Sequence, residues 1–83
     1  MTKLAFNMMR SIAKERISSL LSDGYQEVVH SHHLIVEFVR LRHRLNGNKI
    51  TLRIDYYHNH MQQMTNGIVT YDGKIWTPSE HAV

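Results

Sequence analysis

Five cations in the middle of this 83-residue chain are the residues best suited to bind an anionic partner. They are half of the ten lysines and arginines, and no acidic residue lies between Glu37 and Asp55. The five are Arg40, Arg42, Arg44, Lys49 and Arg53. Side chains two residues apart on a strand point the same way, so a hairpin would place all five on one face. Such a face is either solvated surface covered by long stems, or a docking surface for an acidic protein or a nucleic acid.

Seven histidines are the second unusual feature, and two pairs of them have the spacing of metal ligands. His30 with His32, and His58 with His60, would each place two rings on one side of a strand. Together the pairs could supply four nitrogen ligands to zinc. Polar histidines beside turns are the alternative interpretation, because no carboxylate is obviously placed to orient the rings.

An amphipathic helix is predicted over residues 3–22, because apolar residues recur there at steps of three and four. These residues are Leu4, Ala5, Met8, Met9, Ile12, Ala13, Ile17, Leu20 and Leu21. Thr2 is the expected N-cap, and Gly24 is the expected left-handed residue after the helix. The sequence therefore predicts that one helix covers one side of whatever follows it.

From residue 25 to about residue 77, alternating β-branched, aromatic and polar residues predict an antiparallel β-meander of four to five strands. Asn46-Gly47, Asn66-Gly67 and Asp72-Gly73 are each expected to form a tight turn, since a type I′ turn needs positive φ at both central positions. A two-residue loop at Asn46-Gly47 would set the register of the central hairpin. The strand-forming segments include Tyr25–His30, Leu34–Arg44, Ile50–Tyr57, Met61–Thr65, Ile68–Tyr71 and Lys74–Thr77, with a turn at His58–His60. The predicted fold is a single α+β domain in which Trp76 closes the core and residues 78–83 form a frayed tail.

The apolar residues of Leu34–Arg44 change phase part of the way along. Leu34, Val36 and Phe38 fall on even positions, whereas Val39 and Leu41 fall on odd ones. Either a β-bulge near Phe38-Val39 shifts the phase of the strand, or both faces are covered. A second copy of the chain could supply that cover. A structural homodimer burying Leu34, Val36 and Phe38 is therefore an alternative, since a domain this small has a limited core.

The composition excludes several classes of function. Apolar residues make up 42% and charged residues 20% of the chain, with a formal charge of +3, all ordinary for a folded globular protein. There is no cysteine for a disulfide or a thiolate metal site. The longest aliphatic run, Leu34-Ile35-Val36, is far shorter than the ~20 residues of a membrane helix. Lys3, Asn7 and Arg10 interrupt the first apolar stretch, so we expect no secretory signal and, with no cysteine, a cytoplasmic location. We also expect no membrane partner and, with no phosphate-cradling glycine loop, no cofactor.

A local resemblance provides an enzymatic alternative. The residues Asp23-Gly24-Tyr25, followed by a strand and then by Ser31-His32-His33 opening the next strand, are similar to a segment of the HicA-type mRNA interferase toxins. The resemblance covers about residues 16–38. It implies a double-stranded-RNA-binding-like α-β-β-β-α fold in which His32 or His33 is the acid/base residue of RNA cleavage. His30 stands where that family has glycine, its later Val-Pro-x-His-like segment is missing, and residues 71–83 hold no counterpart of its C-terminal helix.

Overall fold

A computed structural model describes residues 3–74 as one helix followed by an antiparallel sheet of five strands. The helix α1 spans Lys3–Ser22, and the strands are β1 Tyr25–His33, β2 Val36–His43, β3 Lys49–Asp55, β4 His60–Thr65 and β5 Ile68–Lys74. The spatial order of the strands is their order along the chain. The predicted α+β meander is therefore confirmed. No helix within the described range is long and apolar enough to cross a membrane.

The helix ends at Ser22, as the sequence predicts, and the left-handed residue expected after it is present. Gly24 has a φ of 101°, and its N–H donates to the carbonyl of Leu21 at 3.2 Å. Glycine adopts this conformation without the penalty that a Cβ imposes, so the chain can turn directly from α1 into β1. Thr2, the expected N-cap, lies outside the described residues.

The core lies between α1 and one face of the sheet, which we call the helix side. Its largest fully buried side chains are Tyr56, Met9, Leu41, Leu52, Ile54 and Val39. Phe6 also packs against this core, with its ring 4.9 Å from that of Tyr56. Leu4 and Leu21 of the predicted apolar stripe remain 57% and 44% exposed. The helix thus buries a narrower stripe than its sequence suggests.

The loop between β2 and β3 is longer than predicted. It spans residues 44–48, and Leu41 pairs with Ile50 while Val39 pairs with Leu52. A two-residue loop at Asn46-Gly47 is therefore wrong, and the register differs from the expected one by two residues. Because side chains alternate with a period of two, this shift leaves the residues paired between β2 and β3 on their predicted faces, whereas Arg44 falls in the loop.

The expected β-bulge near Phe38-Val39 is also wrong, because β2 pairs with β3 without a register shift. The bulge lies in β1, between Glu27 and Val29. Leu34, with a φ of 55°, belongs to the turn before β2 and is 93% exposed. The regular alternation of β2 therefore starts at Val36, and the even apolar residues of the strand simply lie on the face away from α1.

Two of the remaining turn predictions also need correction. Asn66-Gly67 forms the expected turn, with φ values of 52° and 83°. Asp72-Gly73 is not a turn but lies within β5, paired with β4. The turn predicted at His58–His60 starts earlier, at Tyr56, and His60 begins β4. Residues 75–83, including Trp76 and the predicted tail, lie outside the described range.

Candidate functional site

The face of the sheet away from α1, which we call the open face, is organised in rows across the strands. Residues that pair across an antiparallel ladder share a face. The first row contains Gln26, Arg42 and Lys49, and the second contains Val29, Arg40, Thr51, Met64 and Val69. The third contains Ser31, Phe38, Arg53, Gln62 and Asp72, and the fourth contains His33, Val36, Asp55, His60 and Lys74. These rows show which side chains are neighbours on the open face.

Four of the five predicted cations share the open face, and we call Arg40, Arg42, Lys49 and Arg53 the basic face. Arg42 lies directly opposite Lys49 on the ladder. Arg44 lies outside the strands, in the turn after β2. Arg53 lies 3.7 Å from the carboxylate of Asp55. Within residues 3–74, no carboxylate forms an ion pair with Arg40, Arg42 or Lys49.

An open groove of about 640 Å³ runs over the first two rows. Its charged lining is Arg40, Arg42 and Lys49, and Val28 and Met64 add apolar surface. Residues of two turns also line it, namely Gly47, Asn66 and Gly67. The groove therefore joins unpaired positive charge to apolar surface at one end of the open face.

The other end of the open face carries carboxylates that are already partnered. Asp55 accepts hydrogen bonds from the backbone N–H groups of Tyr57 and His58, both at 3.0 Å, and lies 2.9 Å from the His58 ring. Burial alone would raise the pKa of Asp55, but these hydrogen bonds outweigh it and hold the pKa below its ordinary value. Asp72 contacts the ring of His60. The charge on the open face is thus uneven, because the first two rows carry cations alone, whereas the third and fourth rows combine Arg53 and Lys74 with Asp72 and Asp55.

A buried polar network lies on the helix side and was not expected from the sequence. Glu37, only 8% exposed, accepts a hydrogen bond from the Tyr56 hydroxyl at 2.5 Å and contacts Nε2 of His30. The hydrogen bond with Glu37 raises the pKa of His30. Burial opposes ionisation of Glu37, yet Tyr56 and His30 together lower its pKa. Burial raises the pKa of Tyr56, and the hydrogen bond to Glu37 raises it further. Glu37 lies two and four residues before Val39 and Leu41 on the same strand, so the alternation of side chains predicts that it faces the core with them.

The structure does not bring the two histidine pairs together. His30 lies on the helix side because it pairs with Val39, whereas His60 lies on the open face because it pairs with Asp55. His30, His58 and His60 each contact a carboxylate instead. Across residues 3–74, no group of three or more histidine, aspartate and glutamate side chains is placed to hold a metal ion.

His32 and His33 do not open a strand as expected. Both lie at the end of β1, paired with Glu37 and Val36, and the turn follows at residues 34–35. His32 lies on the helix side, with its ring 6.2 Å from that of Tyr56, and His33 lies on the open face. The two histidines therefore belong to different surfaces of the sheet.

Comparison with known proteins does not identify a family. No protein-family model matches the chain, and searches of curated proteins and of solved structures also found no match. Fold alone does not imply function. The functional argument therefore rests on the residues of the site.

Proposed function

We propose that this chain is a small non-enzymatic interaction domain that docks an acidic protein or a nucleic acid through the basic face. One observation carries the proposal: Arg40, Arg42 and Lys49 lie side by side on the open face, and no described carboxylate pairs with them. Like charges directly opposite one another on a ladder destabilise a sheet. A partner with negative charge would remove that repulsion on binding.

The organisation of the open face supports docking over simple solvation. If the open face were only solvated surface, cations and anions would be interspersed over it. The aliphatic stems of lysine and arginine could then cover the sheet at any position. Here the anions Asp55 and Asp72 lie in the third and fourth rows, where histidines contact them. The first two rows carry only positive charge. Such segregation favours approach of an anionic partner in one orientation.

The test measures binding of two polyanions to the wild-type chain and to a charge-reversal variant. The probes are a polyglutamate peptide and a 20-nucleotide single-stranded RNA, each at 50 and 200 mM salt. If the partner is nucleic acid and three phosphates contact the three cations, affinity should fall about 20-fold over this salt range for a single strand. Arg40→Glu/Arg42→Glu should abolish binding of whichever probe binds.

A matched control reverses two exposed cations on the helix, in Lys3→Glu/Lys14→Glu. This control has the same change in net charge but leaves the basic face intact, so its affinity should stay within about twofold of wild type. If the Arg40→Glu/Arg42→Glu variant binds as well as the control, or if binding does not depend on salt, the proposal is wrong.

A further inference from the structure

The groove presents apolar, cationic and apolar surface in that order across the strands. Val28 of β1 lies at one end, and Met64 of β4 lies at the other. Arg40 and its neighbours on β2 and β3 lie between them. Val28 is 54% exposed and Met64 is half-buried. The partner should therefore carry negative charge flanked by apolar groups.

The spacing of this surface matches an extended peptide that crosses the strands. β1 and β4 are three strand-to-strand steps apart, which corresponds to about 14 Å at ~4.8 Å per step. An extended peptide advances about 3.4 Å per residue, and alternate side chains point the same way. Its side chains i, i+2 and i+4 therefore face the sheet together and span about 13.6 Å. One peptide strand thus supplies three side chains at the required positions.

The lining of the groove favours a peptide over a nucleic acid. Proteins that hold single-stranded nucleic acid stack its bases on aromatic side chains. No aromatic residue is among the described residues that line this groove. Val28 and Met64 would gain little from a phosphate backbone, whereas apolar side chains of a peptide would be buried against them. The volume of about 640 Å³ is adequate for three such side chains.

We infer that the groove binds an extended acidic segment of a partner protein with the pattern apolar-x-acidic-x-apolar. The inference rests on the proposed function and specifies the partner. The central carboxylate contacts Arg40, Arg42 and Lys49, for which bidentate arginine geometry is well suited. The first and last side chains pack on Val28 and Met64, in either chain direction.

The test uses fluorescence anisotropy with labelled nine-residue peptides and the full chain. The parent peptide is Gly-Ser-Leu-Ser-Glu-Ser-Leu-Ser-Gly. Replacing its Glu by Gln, or both Leu by Ser, should weaken binding about tenfold or more, because each change removes one of the two interactions. These comparisons change only the peptide, so they do not depend on the folding of a protein variant.

Matched protein variants locate the apolar contact. Met64→Gln should weaken binding of the parent peptide about tenfold and leave polyglutamate binding unchanged. Ile68→Gln is the control, because Ile68 is 69% exposed but does not line the groove. It should bind the parent peptide as wild type does.

The outcomes separate this inference from the proposed function. If polyglutamate binds through Arg40 and Arg42 but the leucines have no effect, the inference is wrong and the proposed function stands. The inference also fails, with the proposed function intact, if the 20-nucleotide RNA binds through these arginines more tightly than every peptide. If neither polyglutamate, the parent peptide nor RNA binds, both are wrong.

Discussion

Replacing Tyr56 by phenylalanine tests the buried network by removing a single hydroxyl. The Tyr56 ring is fully buried against Phe6, and phenylalanine keeps that packing. What disappears is the donor that lies 2.5 Å from Oε1 of Glu37. Since Glu37 is only 8% exposed, water has little access to replace the lost donor. We expect Tyr56→Phe to destabilise the fold markedly at pH 7.

The magnitude follows from the charge of the acceptor. A hydrogen bond to a charged group contributes about 1.5–3 kcal/mol to stability, more than one between neutral groups. His30 still contacts the other oxygen of Glu37, so the carboxylate keeps one partner. We therefore expect a loss of about 2 kcal/mol in the free energy of unfolding, within the range for such bonds. In a domain of this size that loss lowers the Tm by about 8–16 °C.

Urea unfolding followed by circular dichroism measures the change, with Glu37→Gln as the second arm of a double-mutant cycle. The two substitutions should not be additive, and their coupling should be about 1 kcal/mol or more. Tyr57→Phe is the control, because Tyr57 is the neighbouring tyrosine and is 61% exposed. It should change stability by less than about 0.5 kcal/mol. A Tyr56→Phe loss as small as that of the control, or additive effects, would refute the reasoning.

Three further predictions concern pH, the end of the helix and a turn. The raised pKa of His30 contributes stability that is complete below its ordinary value of 6.5 and is lost as pH rises through the folded value. The lowered pKa of Glu37 contributes stability that is present above pH 4.5 and is lost as pH falls through its folded pKa. The pair of His30 and Glu37 should therefore stabilise the fold most between pH 4.5 and 6.5, as measured by urea unfolding. Gly24→Ala should cost more than about 1 kcal/mol in thermal unfolding, since its Cβ would lie 2.8 Å from Nε2 of His43 at a positive φ. Asp55→Ala should lower the free energy of unfolding by about 1–2 kcal/mol. It should also speed hydrogen exchange at the two turn N–H groups that donate to Asp55.

Each of these predictions has a matched comparison. His30→Gln should flatten the pH dependence above pH 6.5, and an unchanged profile would contradict the assignment to His30. Gly47→Ala should cost less than Gly24→Ala, because Gly47 also has positive φ but nothing lies within 4 Å of its Cβ position. Equal losses would mean that His43 yields without cost. Asp55→Asn keeps one acceptor oxygen, so it should be milder than Asp55→Ala.

The helix and the meander could be predicted because their signals are local. The repeat of three and four residues predicts α1, and Gly24 predicts its end. Asp72-Gly73 misled because the same dipeptide can also lie within a paired strand. Gly73 lies within β5 beside Tyr71, and a Cβ there would lie 3.1 Å from the Tyr71 hydroxyl. Asp72 and Gly73 pair with Gln62 and Met61 of β4, and this pairing between two segments is not visible in the dipeptide.

The basic face was predictable for a different reason. Four of its five predicted cations depend only on the alternation of side chains along β2 and β3, so an error of two residues in the register did not move them to the other face. Arg44 was lost from the face because the longer loop begins at that residue. The contacts of Glu37, Asp55 and Asp72 with histidines depend instead on turn geometry and on pairing between distant segments. Only the contact of Asp55 with His58 lies within one short segment, across three residues of a turn, whereas the contacts of Glu37 and Asp72 join different strands. The groove was missed as well, because residues of four strands and two turns line it.

The bulge in β1 links the two polar features of the molecule. Before it, Tyr25 and Glu27 pair with His43 and Leu41 on the helix side, at odd positions. After it, His30 lies on the helix side, at an even position. A regular strand could not place both sets on the same face, since its side chains alternate strictly. Because of the one extra residue, Tyr25 at the start of β1 faces the core and His30 near its end also faces the helix side, where it contacts Glu37. That extra residue is Val28, which also forms the apolar end of the groove, so the same irregularity serves both sides of the sheet.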